Sequence, residues 1–495
     1  MHKELVLILM ILIIAVTQTP FKGTAFAATG ETQALIDKAE KFINAGDYQE
    51  AKRAYLKAIS SDPKNTQARN NLGAMFVVLG DLDKALEQFE EILKINPEYS
   101  NAYENIGLIM SRKADYERAI KMLKMALSLN PDSSTAHYNL GLSYIGIEKY
   151  NDGLKELKTA VAINPSFTEA LTSLGEIYYR LDSVSEANEC LLKAIALNPK
   201  NYAAFNTLGL VSLKQAKYDA AADYFNKALK GPRNAQVLAS YNMGILFLAK
   251  KEAEKAMEMF KKTTDLEPGF AAAFNDWGMV LLQDSNFEDA AKLFVKAVNI
   301  EPKNKTFNFN LVECYKNLQK YGDAIKVCEY LIKIDPKNAA AYDTMGYMYY
   351  FKGDSKNSKE NYEKAIEIDP TYAEAHYHLG VLYDKTALPE KAVIEYRSAV
   401  KLNPSHVMAL NNLGFALMND LKLDEAAKHL EAAIKIEPDF SFAIYNLGIV
   451  YFNRNKNEDR VNARKLFLKI QEFEPKGSPL YKLSEDAIAQ VDRTK

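Results

Sequence analysis

Prolines recur at intervals of 34 residues along nearly the whole chain. Pro63, Pro97, Pro131, Pro165 and Pro199 form one series, and Pro268, Pro302, Pro336, Pro370, Pro404 and Pro438 form a second. A fixed period of this length means one supersecondary unit copied many times, each copy too small to bury its own apolar face. The expectation is an array whose function lies on the surface that stacking creates.

Each unit reads as two amphipathic helices and a turn. In residues 66–99 an apolar-periodic stretch around Leu72-Gly73-Ala74-Met75-Phe76 breaks at Gly80-Asp81, and a second runs from Asp83 to Ile95. Asn96-Pro97 closes the second helix, because proline lacks an amide hydrogen and restricts the residue before it. Apolar residues three and four apart turn one stripe of each helix inward.

With each proline counted as position 32, other residues fall into register. Position 8 is glycine in eleven of thirteen units, from Gly73 to Gly448, with Ala39 and Val312 as the exceptions. Glycine inside a helix costs about 1 kcal/mol relative to alanine, so its recurrence implies a close helix crossing. Position 20 is alanine in eleven units, with Gly153 and Ser358 as departures, and position 24 supplies a large filler such as Tyr55, Phe89 or Phe225. Small is expected to face small, with the large residue filling the gap beside the crossing.

These residues resemble the tetratricopeptide repeat, as in Leu140-Gly141 with Tyr144, Ala160 and Pro165, or Leu379-Gly380 with Tyr383, Ala392, Tyr396, Ala399 and Pro404. The resemblance spans residues 31–476 in about thirteen copies. It implies an all-α fold, a right-handed α-α superhelix (solenoid) of stacked helical hairpins that holds peptides or partner proteins on its concave side. Two register faults interrupt the array. Gly209 and Gly244 are 35 residues apart around Lys230-Gly231-Pro232-Arg233, and Asn453 to Asp459 adds about three residues to the last turn. The expected division is therefore repeats 1–6 over residues 31–233, repeats 7–13 over 237–476, and a capping helix over 478–495 with Leu480, Leu483, Ile488 and Val491 apolar.

The first 27 residues read separately. Lys3, an apolar run from Leu5 to Val16 and Ala25-Phe26-Ala27 have the order of a secretory signal cleaved after Ala27. A 12-residue apolar core is short for a membrane span. The expectation is an exported protein, periplasmic or extracellular, with no integral span after cleavage; the alternative is an uncleaved signal anchor. Three cysteines, Cys190, Cys314 and Cys328, cannot all pair internally. Export permits a disulfide between Cys314 and Cys328, on the two helices of one unit. The other reading is three small buried apolar residues.

Lys plus Arg number 62 against 64 Asp plus Glu, without long blocks of one sign, so nucleic acid is not an expected partner. No phosphate-cradling loop, nucleophile elbow or metal-ligand spacing is present, so no enzyme, catalytic residue, cofactor or metal is expected. His376 and His378 lie two apart on a helix and cannot face one ligand; His376, at packing position 4, reads as a core histidine.

Positions 2, 5, 6, 9, 12 and 13 of the first helix share one arc opposite the packing positions, and in the resembled family that arc lines the concave groove. Position 6 is Asn71, Asn105, Asn139, Asn242, Asn310, Asn412 and Asn446 in seven units. An amide offers both donor and acceptor to an extended peptide. The row resembles the asparagine ladder in the repeats of O-linked N-acetylglucosamine transferase, without any catalytic domain. The alternative is that these amides bond between neighbouring units. In the C-terminal half Tyr347, Tyr350, Phe351, Tyr377, Phe415, Tyr445 and Phe452 are expected to form an aromatic floor, a favourable anchor for a partner. None of the thirteen position-5 residues is basic, which argues against the family's receptors for C-terminal carboxylates. The expected function is an adaptor binding a protein or extended peptide in an envelope, secretion or surface-polymer assembly. A self-associating scaffold and a glycan-binding module are the alternatives.

Overall fold

The computed structural model describes residues 30–454 and 457–493. The 1–27 segment assigned as a signal lies outside them. Among the described residues there are 27 helices, from α1 (Gly30–Asn44) to α27 (Pro479–Arg493), and no strand. Odd-numbered (A) and even-numbered (B) helices pair into thirteen antiparallel hairpins, and α27 follows the last. The fold is all-α, a solenoid of stacked hairpins, as the period implies.

The local chemistry ends each helix where the sequence suggests. α3 (Thr66–Val78) begins after Asn65, whose side-chain oxygen accepts the Ala68 amide hydrogen at 2.8 Å. α4 (Leu82–Ile95) begins after Asp81, which accepts from the Lys84 amide, and stops at Asn96 before Pro97. The A-to-B turn passes through a left-handed residue. This is Gly46, Gly80 or Gly353 in three repeats, but Ala114, Glu148, Asp182, Ala216, Lys251, Ser285, Gln319, Ala387 or Leu421 in nine others. A left-handed conformation costs an L-residue roughly 1–2 kcal/mol, so most copies carry this strain where three avoid it.

The position-8 glycines are required by contact, though the contact differs from the expected one. A Cβ on Gly73 would lie 2.8 Å from the Phe89 ring, on Gly141 2.9 Å from Leu157 Cγ, and on Gly209 2.3 Å from the Phe225 ring. The large residue at position 24 therefore sits directly on the glycine rather than beside it. The position-20 backbone approaches from the other side, as Gly153 O does 3.2 Å from the same Gly141 Cβ. Phe89, Phe225, Phe260 and Phe294 are fully buried in consequence.

The chain divides into two compact units, the first ending at Pro268 and the second beginning at Gly269. The fault at Gly231-Pro232 lies inside the first. There α12 (Tyr218–Ala228) is 11 residues long and α13 (Arg233–Ala249) 17, whereas neighbouring α10 (Val184–Leu197) and α11 (Tyr202–Lys214) have 14 and 13. One turn has in effect moved from the B helix to the next A helix.

In the second unit the extra residues of the last repeat extend α26 (Asn457–Phe473) to 17 residues instead of enlarging the turn. Glu458 and Asp459 suit a helix N-terminus, and Asp459 is held by Arg454 at 2.6 Å. α27 covers this hairpin through Leu480, Ala487 and Val491 against Ile444, Phe467 and Ile470. Leu483, expected to be inward, is 46% exposed, because the buried stripe runs through Leu480, Ser484, Ala487 and Val491.

All three cysteines are free. Cys314 and Cys328 are fully buried, and Cys314 Sγ donates to Phe287 O at 3.0 Å. Burial pushes the Cys314 thiol up to about 11 and Cys328 up to about 12, so both are inert apolar fillers. Among the described residues no helix is long and apolar enough to cross a membrane.

Candidate partner-binding surface

The amides at position 6 bond chiefly to neighbouring repeats. In the first unit Asn105 Nδ2 donates to Asn70 Oδ1 at 3.4 Å and Asn242 Nδ2 to Asn206 Oδ1 at 2.9 Å. In the second, Asn310 donates to Asn275 at 2.8 Å and Asn446 to Asn411 at 2.9 Å. Each acceptor is the position-5 residue of the preceding repeat. His378 repeats the geometry with Asp343, Nδ1 to Oδ1 2.8 Å. Asn71 reaches Glu40 at 3.1 Å instead, while Asn412 accepts from Asn411 and lies 3.5 Å from the Tyr396 hydroxyl. Asn105, Asn139 and Asn242 are buried; Asn71, Asn310, Asn412 and Asn446 are partly exposed. An amide has two hydrogens and two lone pairs, so the partly exposed members keep capacity toward solvent.

The first unit contains a pocket of about 150 Å³. It is lined from consecutive A helices: Tyr138 and Leu142 of α7 (Ser134–Gly146), Glu169, Thr172, Ser173 and Glu176 of α9 (Thr168–Arg180), Asn206 of α11 and Leu238 of α13. These are positions 2, 5, 6 and 9, the arc read from the sequence. The displaced turn at Gly231 completes the enclosure, with Pro232, Asn234 and Ala235 as lining residues. Gly231 permits this because a Cβ there would stand 2.5 Å from Tyr202, itself a wall of the pocket. The irregular loop was legible in the sequence, but not that it encloses a cavity.

The walls of the pocket are braced. Asn201 Nδ2 donates to Thr172 Oγ1 at 2.8 Å, and Thr172 in turn donates to Thr168 O at 2.7 Å. Tyr138 packs on Phe167 with ring centres 5.0 Å apart. Burial pushes the Glu176 carboxyl up to about 7, against the opposing pull of Arg180 and a hydrogen bond with Thr207. Burial also raises the Tyr138 phenol, opposed by its bond with Ser173.

The second unit carries the aromatic cluster. On α19 (Ala339–Lys352) Tyr347 and Tyr350 meet Phe351 at 4.8 and 5.4 Å. Tyr347 also meets His378 of α21 (Ala373–Lys385) at 5.0 Å, and Tyr377 meets His406 at 4.7 Å. Lys385 Nζ lies 4.0 Å from the centre of the Tyr350 ring. Four of the seven expected floor residues, Tyr347, Tyr350, Phe351 and Tyr377, are therefore brought together around His378, itself at position 6 of the arc. Phe415 of α23 (Val407–Asn419) is 45% exposed. Tyr445 and Phe452 of α25 (Ser441–Arg454) instead pack on the last cluster, Tyr445 against Phe467 at 5.7 Å. Phe442 and Met408, at position 2 of their repeats, add exposed apolar surface on the same arc.

His376 bonds Glu395 through Nδ1 at 2.7 Å and contacts Pro370 O through Nε2 at 3.4 Å; His137 does the same with Glu156 and Pro131. Both histidines tie an A helix to its B helix and to the preceding turn. Among the described residues no group of three His, Cys, Asp or Glu side chains could hold a metal ion.

Tetratricopeptide repeat profiles match residues 36–100, 138–187, 178–236 and 281–346, with further repeats at 100–133 and 373–406. A profile described as TPR repeat matches 346–386. No curated protein matches the sequence. Among solved structures, yeast Tom70 is 18% identical, covering 93% of this chain and 96% of its own, with a TM-score of 0.44. The Cut9–Hcn1 hetero-tetramer of APC/C is 13% identical over the same shares, with a TM-score of 0.43. YrrB, described as a TPR protein with an unusual peptide-binding site, is 25% identical over 39% of this chain and 99% of its own, with a TM-score of 0.32. With matches running, with breaks, from residue 36 to residue 406 and thirteen hairpins of one design, the chain belongs to the tetratricopeptide repeat family.

Proposed function

We propose that the chain is an exported adaptor that holds an extended segment of a partner protein along the A-helix arc. A protein-interaction scaffold is the class of function this family implies. The observation that carries the finer reading is where open space and exposed rings lie. The pocket is lined by arc positions of consecutive repeats. Of the exposed phenylalanines among the described residues, Phe351, Phe415 and Phe442 occupy arc positions 13, 9 and 2, and only Phe473 lies on a B helix. A scaffold that self-associates through its outer helices would need its rings on those helices. Exposed aliphatics do occur there, Leu192 and Ile394 among them, and they support self-association as the second reading. Export rests on the charged, apolar and small-residue order of residues 1–27. It fits a place in an envelope, secretion or surface-polymer assembly.

The test uses a photo-crosslinking side chain placed singly at Phe351, Phe415 or Ile394 in the full chain, expressed in its own cells. Partner peptides should be trapped from the first two sites and not from Ile394. Trapping from Ile394 alone, with a second copy of this chain as the product, would establish the self-associating scaffold instead. Asn412→Ala with Asn446→Ala should weaken capture at Phe415. N-terminal sequencing of the mature protein should begin at Ala28, and a chain retaining residues 1–27 would be anchored rather than released.

A further inference from the structure

The pocket between α7, α9, α11 and α13 is chemically asymmetric. Two carboxylates line it, Glu169 and Glu176, seven residues and so about two helical turns apart on the same face of α9. The one cation among the lining residues is Lys200, on the exposed turn before α11. Arg180, which is near enough to oppose the rise in Glu176, is not a lining residue, and its guanidinium lies over the Tyr150 ring at 5.8 Å. The remaining wall is apolar or neutral, chiefly Tyr138, Leu142 and Leu238. An aliphatic wall with acid placed in it suits a long apolar stem that ends in a cation.

We infer that this pocket receives a lysine or arginine side chain of the bound segment, with Glu169 and Glu176 as its counter-charges and Tyr138 against its stem. The inference deepens the proposed groove reading and rests on it for the peptide, but the pocket can be probed without a peptide. About 150 Å³ accommodates one such side chain and not a folded partner. The alternative occupant of a site lined by two carboxylates, a metal ion, has no third ligand among the described residues.

Because Glu176 is held near 7 by burial, it gains a proton as pH falls through neutrality and loses charge. Cation binding should therefore strengthen from pH 6 to pH 8. The titratable and charged groups around Glu176 are Tyr138 on α7, Glu169 and Arg180 on α9, Lys200 before α11 and Tyr202 on α11. Tyr138 stays neutral throughout this range, because burial raises its phenol.

Two measurements on the full chain test the inference. In the first, n-butylguanidinium is added while the methyl resonances of Leu142 and Leu238 are followed, with n-butanol as the uncharged control. The guanidinium should shift both residues, more at pH 8 than at pH 6, and Glu169→Gln with Glu176→Gln should abolish the shifts. Equal shifts from n-butanol, or shifts that survive in the double variant, would overturn the assignment. In the second, random decapeptides with a fixed central residue are compared on the same protein. Central Lys or Arg should bind at least tenfold tighter than norleucine or citrulline, and the double variant should bring that ratio to one. Peptides that bind without preference would refute the pocket assignment and leave the groove standing. A guanidinium response with no peptide binding would do the reverse.

Discussion

Val312 and Cys328 exchange the sizes that position 8 and position 24 hold elsewhere in the array. Most repeats set a glycine under a phenylalanine, tyrosine or leucine. Here α17 (Lys305–Asn317) contributes a valine, α18 (Tyr321–Ile334) a cysteine, and the two share one buried cluster. The crossing keeps its volume while the bulk changes sides.

Each member of that pair is therefore expected to be harmful to change alone. Cys328→Phe should overpack the crossing and cost about 1–3 kcal/mol. Val312→Gly should lose buried surface and add the roughly 1 kcal/mol of a mid-helix glycine. Made together they restore the majority pattern, and a coupling energy of about 1 kcal/mol or more should appear. Hydrogen exchange of the α17 and α18 amides measures this locally, which suits an array that does not unfold in one step. Strict additivity would refute the exchange of bulk.

Asn242 and Asn206 predict the cost of a ladder rung. Both are buried, at 6% and 2% exposed. Asn242→Ala leaves the Asn206 oxygen without its donor and should cost about 1–3 kcal/mol. Asn71→Ala breaks an exposed bond to Glu40 and should cost less than about 0.5 kcal/mol. Equal losses would show that burial does not set the value of the rung.

Leu421 tests the turn. It is left-handed at φ 58° and 82% exposed, so it carries strain and buries little. Leu421→Gly should stabilise its repeat by about 0.5–1 kcal/mol after the glycine's greater freedom in the unfolded chain is counted. The reciprocal Gly80→Leu should destabilise by roughly 1–2 kcal/mol. A stabilised Gly80→Leu variant would contradict the conformational account.

Stability should also respond to pH through His376. Its hydrogen bond to Glu395 raises its affinity for the proton above the ordinary value of 6.5, in spite of burial. Its contribution is complete below 6.5 and is lost as pH rises through the higher folded value. Melting of the wild type relative to His376→Gln should therefore show its largest advantage below pH 6.5 and lose it progressively as pH rises through the raised folded value. A constant difference across that range would remove the charged pair from the account.

Period, helix pairs and family were legible because they depend on local rules repeated thirteen times. Proline stops helices wherever it stands, and glycine inside a helix has to be explained by a neighbour. Which neighbour was not legible: the Phe89 ring lies on Gly73 itself, and rotamer and crossing geometry decide that. The amide row was visible as a row, yet the partner of Asn310 is Asn275, 35 residues away, and only stacking brings the two within reach. The pocket was least legible, because its walls come from separate repeats and from a one-residue slip at Gly231. Tyr445 lies apart from the rings around His378 because it packs on Phe467 of its own hairpin, at 5.7 Å, a contact that only the folded pair of helices reveals.

The rungs between position 6 and position 5 join each hairpin only to the next. Heat or denaturant should thus fray a unit progressively from a free end, in steps set by nearest-neighbour terms. A guest strand laid over several hairpins would act as a splint, converting that gradual loosening into a sharper, more collective opening.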